Sequence, residues 1–390
     1  MVAEFKGRST VISMAFFDFM RMAGIFMVLP VFTIYGYEFT TNAVLIGIAF
    51  GGYGLAMAFM QTPLGILSDR IGRKKVIIGG MIPYIAGNFI AYHPVNIYIL
   101  ILARLLTGTG AIGAASTAFV EESVSGNRMN IAMAFIGVSA GLAFMAGMII
   151  GPVLTTATGV SSIFLVSAIL GIIALVPVAV LKEERDPAEI RKHDSGGKIE
   201  KIGIKAGIIS FIFSFYVMVF FFYIPLYYLR VSGLKNYSTL LVIPVIIGGI
   251  VAALVSMDAD RGKRTSLYGF IALIISAISV PFIFLFPESV NSFSGIFIGL
   301  TLFFISYSIY EIVFPPLISK IAGRKNYGAN MGINNSLRSL GQFIGAVSAG
   351  IFLNISLRST DVNRISYILI AILAFSILFY YVEVYRTHRV

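Results

Sequence analysis

The chain has 390 residues, of which 58% are apolar and only 12% charged, and its mean hydropathy is +0.91. A soluble domain of this size needs far more charge to cover its surface, so lipid must be the solvent of much of the chain. The net charge of +11 does not point to nucleic acid, because it sits in short loops between apolar runs, and with no cysteine there are no disulfides, thiolate nucleophiles or cysteine metal sites.

Lipid offers no hydrogen bonds, so spanning segments must be helices or closed barrels. Runs of about twenty apolar residues fit helices, whereas barrel strands alternate over about ten. Such runs fall at 10–36, 42–67, 76–92, 96–119, 130–156 and 160–181, then at 205–229, 238–257, 265–287, 293–319, 329–354 and 363–385. The expected fold is all-α and membrane-integral, with twelve transmembrane helices in two pseudo-symmetric six-helix bundles. The bundles are 1–181 and 205–390, joined by a polar linker at 182–204. Asn130 and Gly141 are echoed by Asn330 and Gly341, and Pro30 by Pro225, at nearly constant offsets, which favours a six-plus-six duplication. The first run is long and carries Asp18 and Arg21, so it reads as a retained helix rather than a cleaved signal. With the N-terminus inside, 22 of the 29 Lys and Arg fall in inner loops and tails and four in outer loops, which places both termini in the cytoplasm.

The strongest local signal is Gly65-Ile66-Leu67-Ser68-Asp69-Arg70-Ile71-Gly72-Arg73-Lys74-Lys75, between the second and third runs. Gly72 permits a tight reversal, and the basic cluster holds the segment on the cytoplasmic face. Asp69, amid that positive charge, is placed to face a neighbouring helix N-terminus. Composition supports a plain topology anchor equally well. The segment resembles the loop signature of the major facilitator superfamily, with Gly65, Asp69, Arg70, Gly72, Arg73 and Lys74 in register. Arg104-Leu105-Leu106-Thr107-Gly108-Thr109-Gly110 is similar to that family's fourth-helix arginine signature. Gly147-Met148-Ile149-Ile150-Gly151-Pro152 resembles the fifth-helix signature of its proton-coupled drug antiporters, although the glycine pair that often ends it is absent from Val153-Leu154-Thr155-Thr156. Residues 21–31, 67–74 and 132–139 resemble, more narrowly, the YajR-type and drug:proton antiporter group. The resemblance implies that Asp69 and Arg73 join a charge network latching the two halves in the outward-facing state, with Glu121 and Glu122 as partners for Arg73. It also implies a proton-coupling role for Arg104.

Ionisable groups at membrane depth face a cavity or a partner, and here they are Asp18, Arg21, Arg104, Glu311 and Arg338. Asp18 and Arg21 are three apart and share a helix face. At a rise of ~1.5 Å per residue, Glu311 lies ~12 Å and Arg338 ~14 Å from the inner ends of their helices, so the two can meet. Either Glu311 binds and releases a proton, or Arg338 neutralises it and the pair only ties two helices together. The adjacent Pro315-Pro316, expected to break the helix, favours the first. Asp18 carries the same two readings, with Arg21 a ready partner. Arg104 also has a structural reading, as donor to the exposed carbonyls of a bent helix.

Substrate-cavity candidates are Tyr53, Asn88, Tyr223, Tyr307, Tyr310, Asn334 and Gln342, since aromatic walls with few polar anchors suit amphipathic small molecules. Against a background of 33 phenylalanines the aromatic signal is a poor discriminator. Glycines four apart at 47/51, 137/141, 147/151, 295/299 and 341/345 let helices approach closely in lipid.

These readings lead to a secondary active transporter, a proton-coupled exporter of small amphipathic compounds working by alternating access. The alternatives are an uptake or facilitated-diffusion carrier for a small metabolite and a non-transporting membrane receptor. An enzyme would need clustered His, Cys or paired carboxylates at one depth, and the intramembrane set is too sparse. No phosphate-cradling G-x-x-x-x-G-K-[ST] loop occurs, and His93, His193 and His388 fall in separate loops or tails. The expectation is therefore no metal and no cofactor, with the proton gradient as driving force. The expected partners are a small-molecule substrate, protons and the bilayer, with no nucleic acid. The protein is expected to be a monomer in the cell membrane.

Overall fold

A computed structural model describes residues 2–124, 128–181, 201–231, 233–262, 264–284, 292–356 and 363–385. Most of the expected linker, 182–200, lies outside them. The described residues are helical, without strands. In chain order the helices are α1 (Val2–Val28), α2 (Phe32–Tyr37), α3 (Ala43–Ile71), α4 (Arg73–Tyr92), α5 (Ile97–Thr109), α6 (Gly113–Ser123), α7 (Arg128–Thr158) and α8 (Ser162–Val180). They continue with α9 (Lys201–Val231), α10 (Gly233–Gly262), α11 (Thr265–Phe284), α12 (Ser292–Ser356) and α13 (Asn363–Tyr380). Among the described residues, 12 segments are long and apolar enough to cross a membrane, as the hydropathy pattern predicts.

Where helices end, a local cause is visible. The first apolar run is not one helix. It stops at Val28, and the chain re-enters a short helix at Phe32, because Pro30 has no N–H to give and its ring crowds the preceding turn. The reversal between α3 and α4 narrows to Gly72 alone, with φ 108°, a conformation that a side chain would disfavour. Gly65, Asp69 and Arg70 therefore lie on the last turns of α3 rather than in a loop. The fourth run breaks into α5 and α6 around Gly110, whose amide bonds back to the Thr107 carbonyl (3.3 Å). The Asn96 side chain opens α5 by accepting from the amides of Tyr98 and Ile99 at 3.0 Å each.

Two expectations about the tenth and eleventh spans are corrected. The helical run Ser292–Ser356 passes through Pro315-Pro316 and through the expected loop without interruption. It is no straight rod, because Glu311 and Arg338 touch, whereas 27 residues of α-helix extend ~40 Å. The prolines still leave the carbonyls of Glu311 and Ile312 without their usual helical donors.

The helices gather into two compact units. Unit 1 comprises Met1–Phe39 and Gly52–Gly196, and unit 2 comprises Thr40–Gly51 and Gly197–Val390. In unit 1, α1 packs on α7 and α8, while α4 packs on α5 and α8. Its core includes Met14, Phe17, Ile77, Met81, Tyr84, Ile112 and Val178. In unit 2, α12 packs against α9, α10 and α11. Lipid is as apolar as the side chains, so association rests on close packing rather than on escape from water. Glycine supplies it in both units. A Cβ at Gly147 would stand 2.8 Å from the Ala23 carbonyl oxygen and 2.9 Å from the Met27 nitrogen, and one at Gly151 would meet the Met27 carbonyl. In unit 2, Gly341 and Gly345 lie on the backbones of Phe211 and Phe215, and Gly47 and Gly51 on those of Ala346 and Phe343. The repeat match of Gly141 with Gly341 does not survive as a shared environment, because a Cβ at Gly141 or Gly137 would meet nothing within 4 Å. Large apolar side chains such as Phe59, Ile82, Ile131, Leu254 and Phe375 are left exposed, as a chain solvated by lipid permits.

Candidate functional site

The intramembrane charges fall into three groups, two in unit 1 and one in unit 2. In the first, Asp18 and Arg21 meet on α1 at 3.7 Å, as their spacing predicts. Ser116 of α6 donates to Asp18 at 2.8 Å, and the Tyr84 hydroxyl of α4 donates to the Arg21 carbonyl at 3.2 Å. The side chains of Asp18 and Arg21 are only 10% and 3% exposed, so the pair is enclosed within its unit.

The second group is Arg104 on α5. Its guanidinium lies between two rings, 5.3 Å from the centroid of Phe32 and 5.3 Å from that of Tyr53. The expected bonds to the carbonyls of a bent helix are not formed, and Nε is buried without a hydrogen-bond partner among the described residues. Cation–π attraction to the two ring faces holds the charge instead. Phe32 comes from the short helix after Pro30, which hydropathy alone merges into the first span.

The third group lies on α12, with α9 beside it. Arg338 holds Glu311 through both terminal guanidinium nitrogens, with Nη1 3.1 Å from the carboxylate. Both side chains are 28% exposed, so the pair is neither sealed nor fully solvated. Tyr307 adjoins both partners. Tyr310 shares a hydrogen bond with Ser210 at 2.8 Å, and Ser210 donates to the Asn334 side-chain carbonyl at 2.6 Å. The Tyr310 ring stacks on Phe213, with centroids 3.8 Å apart, and on Phe314 at 4.5 Å. Five predicted cavity or charge residues, Tyr307, Tyr310, Glu311, Asn334 and Arg338, are thus brought together.

The remaining candidates separate. Asn88 is buried and spends its amide N–H on the Tyr84 carbonyl (2.8 Å), and Tyr223 donates to the Ala349 carbonyl (3.2 Å). Both spend a donor on a backbone carbonyl. Gln342 is half-buried on α12. At the α3–α4 reversal, Arg73 is buried and donates to Glu122 from Nε (3.0 Å) and Nη2 (2.9 Å), and to Ser68 at 2.5 Å. It also pairs with Asp69. Glu122 is thus a predicted partner found in place, and these contacts join α3, α4 and α6 within unit 1. Lys74 caps the end of α8, donating to the Ala179 and Leu181 carbonyls at 2.6 and 2.7 Å. Gly147 and Gly151 of the fifth-helix signature sit where α7 crosses α1. Ser68, Ser116 and Ser210 escape sequence reasoning. Their only sequence signal is a hydroxyl in an apolar run, which many other serines share.

The sequence matches the Major Facilitator Superfamily profile over residues 14–346. The chain belongs to the Major Facilitator Superfamily. It is 31% identical over 345 residues to the inner membrane transport protein YajR of Escherichia coli K12, covering 85% of this chain and 74% of that one. It is 24% identical over 368 residues to multidrug resistance protein 1 of Bacillus subtilis 168, covering 92% of each. Its fold is similar to the crystal structure of the nucleoside transporter NupG, with a TM-score of 0.74 at 12% identity, over 95% of this chain and 98% of that one. This member of the superfamily is therefore a multi-pass membrane transporter for a small-molecule substrate, not an enzyme. The Arg73 cluster is built on the segment that resembles the family's loop signature, with the reversal carried by Gly72 and the charges gathered on the helix ends either side of it.

Proposed function

We propose that this transporter is a proton-coupled antiporter that exports small amphipathic compounds by alternating access, with the proton gradient as its driving force. It works as a monomer in the cell membrane with both termini in the cytoplasm. One observation carries the reading: the half-open Glu311–Arg338 pair, set among Tyr307, Tyr310 and Asn334. A buried pair that loses one partner is penalised by about 3–5 kcal/mol, a figure reduced here because both side chains retain some access to solvent. Protonating Glu311 removes its charge and frees Arg338, so proton binding and rearrangement of this cluster are energetically linked. A coupling of about 1–3 kcal/mol is the usual size of such linkage. The flanking rings offer apolar surface to an amphipathic solute, and the multidrug name of one relative supports the same substrate class. The inner-membrane name of another supports the location.

The test begins with a thermal-shift ligand screen on the purified protein and continues with flux of the hits in proteoliposomes. The wild type is expected to accumulate solute when a pH gradient is imposed. Glu311→Gln is expected to lose gradient-driven accumulation yet keep counterflow exchange. Flux indifferent to the gradient in the wild type would reject proton coupling in favour of facilitated diffusion, and binding without flux would favour a receptor.

A further inference from the structure

We propose that Arg104, clamped between Phe32 and Tyr53, is a binding site for the carboxylate of an organic monoanion. That this anion is cargo rests on the export reading above; the binding itself does not.

Three arginines stand at membrane depth, and two have carboxylates. Arg21 has Asp18 and Arg338 has Glu311. Arg104 has neither a carboxylate nor a hydrogen-bond acceptor among the described residues, although it is only 3% exposed and lies seven residues into the span Ile97–Ser123, or ~10 Å along the axis. A guanidinium stays protonated under all ordinary conditions, so it cannot escape burial by becoming neutral. An enclosed charge needs a counter-charge or fixed dipoles. The rings of Phe32 and Tyr53 meet part of that need by covering the guanidinium faces. They leave the Nε–H, which projects in the guanidinium plane, buried without an acceptor among the described residues.

The clamp is built into the packing. Gly108, one turn after Arg104 on the same face, lies directly on the Tyr53 carbonyl, and its Cβ would stand 2.9 Å from that of Ala56. This close approach of α5 to α3 sets the Tyr53 ring against Arg104. Tyr53 and Tyr84 are the titratable side chains beside the guanidinium, and neither is a carboxylate. Asp18 is occupied by Arg21 and Ser116.

The vacant donors select the ligand's chemistry. A planar fork of N–H groups matches a carboxylate bidentately, two parallel bonds at once. A lysine could not offer that geometry. One guanidinium balances one negative charge, which fits a monoanion better than a dianionic phosphate. The bordering rings favour an apolar body behind the head group.

The test is equilibrium binding of radiolabelled benzoate and hexanoate to the full-length protein in detergent, in chloride-free methanesulfonate buffer at constant ionic strength. Benzamide serves as the neutral isostere of benzoate. The wild type is expected to bind at least one of the two carboxylates saturably in the millimolar range, and benzamide about tenfold more weakly or worse. Arg104→Gln should lower carboxylate affinity by about tenfold or more. If that variant fails to fold by size-exclusion chromatography, Arg104→Lys decides, with an expected fall of several-fold because charge is kept and the fork is lost. Gly141→Ala, where an added Cβ meets nothing within 4 Å, should bind like the wild type, and because binding is read at equilibrium without a gradient, failure of proton coupling leaves this result untouched. Saturable binding of neither carboxylate, equal binding of benzamide, or binding unchanged in the Arg104 variants would each overturn the proposal. So would chloride binding that depends on Arg104 without carboxylate binding, since the site would then take halide.

Discussion

Gly151 and Gly141 lie on the same helix and carry opposite predictions. A Cβ added at Gly151 would overlap the Met27 carbonyl oxygen and stand 3.1 Å from both the carbonyl carbon and Cα of Met27. These are backbone atoms of α1 and cannot rotate away, so α1 and α7 must separate. Overpacking of this kind costs about 1–3 kcal/mol, and the unyielding contact places Gly151→Ala near the upper end. Replacing Gly by Ala inside a helix returns about 1 kcal/mol of backbone propensity, leaving a net loss of about 2 kcal/mol. At Gly141 nothing stands within 4 Å, so the propensity gain of up to about 1 kcal/mol is all that remains. The assay is thermal unfolding of each variant in one detergent, followed by far-ultraviolet circular dichroism. Thiol dyes and tryptophan fluorescence have nothing to report on, since the chain has no Cys and no Trp. Gly151→Ala should lower the midpoint by about 2–3 °C, while Gly141→Ala should leave it unchanged or raise it slightly. A Gly151→Ala protein melting at or above the wild type would refute the claim that backbone contact at this seam holds unit 1 together.

Arg73→Ala should destabilise by about 2 kcal/mol, less than a sealed ion pair would lose because Asp69 and Glu122 retain solvent. Arg73→Lys should lose less, and the two midpoints measured together check the order. Ser210→Ala removes the hydroxyl between Tyr310 and Asn334 and should cost about 1–3 kcal/mol through the buried groups it leaves unpaired, measured by the same melt. Asn96→Ala removes the cap of α5 and should cost about 1 kcal/mol; hydrogen exchange should quicken at the Tyr98 and Ile99 amides and not in α12.

The spans were legible because bilayer thickness dictates run length, whatever the side chains pack against. The meeting of Glu311 with Arg338 was legible for a similar reason, since rise per residue puts both at one depth. Breaks inside spans were not. The α5–α6 interruption follows from how Gly108 and Gly110 pack on Tyr53 and Gly80, which hydropathy cannot register. Pro315-Pro316 misled in the other direction, because a helix can continue through proline when neighbouring packing holds it. The backbone partners of Asn88 and Tyr223 were not legible, since a polar side chain in a span looks the same in sequence whichever carbonyl it donates to. Phe32 could not be found at all. Only the turn at Pro30 brings it over Arg104, and that contact spans 72 residues of sequence. Gly141 and Gly341 matched by offset alone, and their surroundings show that a shared residue in two repeats need not mean a shared contact.

The most direct measurement is proton movement itself, read by pyranine enclosed in proteoliposomes when a solute found by the binding screen is added outside. The account predicts a solute-dependent pH change in wild-type vesicles that disappears with Glu311→Gln while solute exchange continues. Solute flux with no accompanying pH change, or a Glu311→Gln protein whose proton signal equals the wild type, would contradict it.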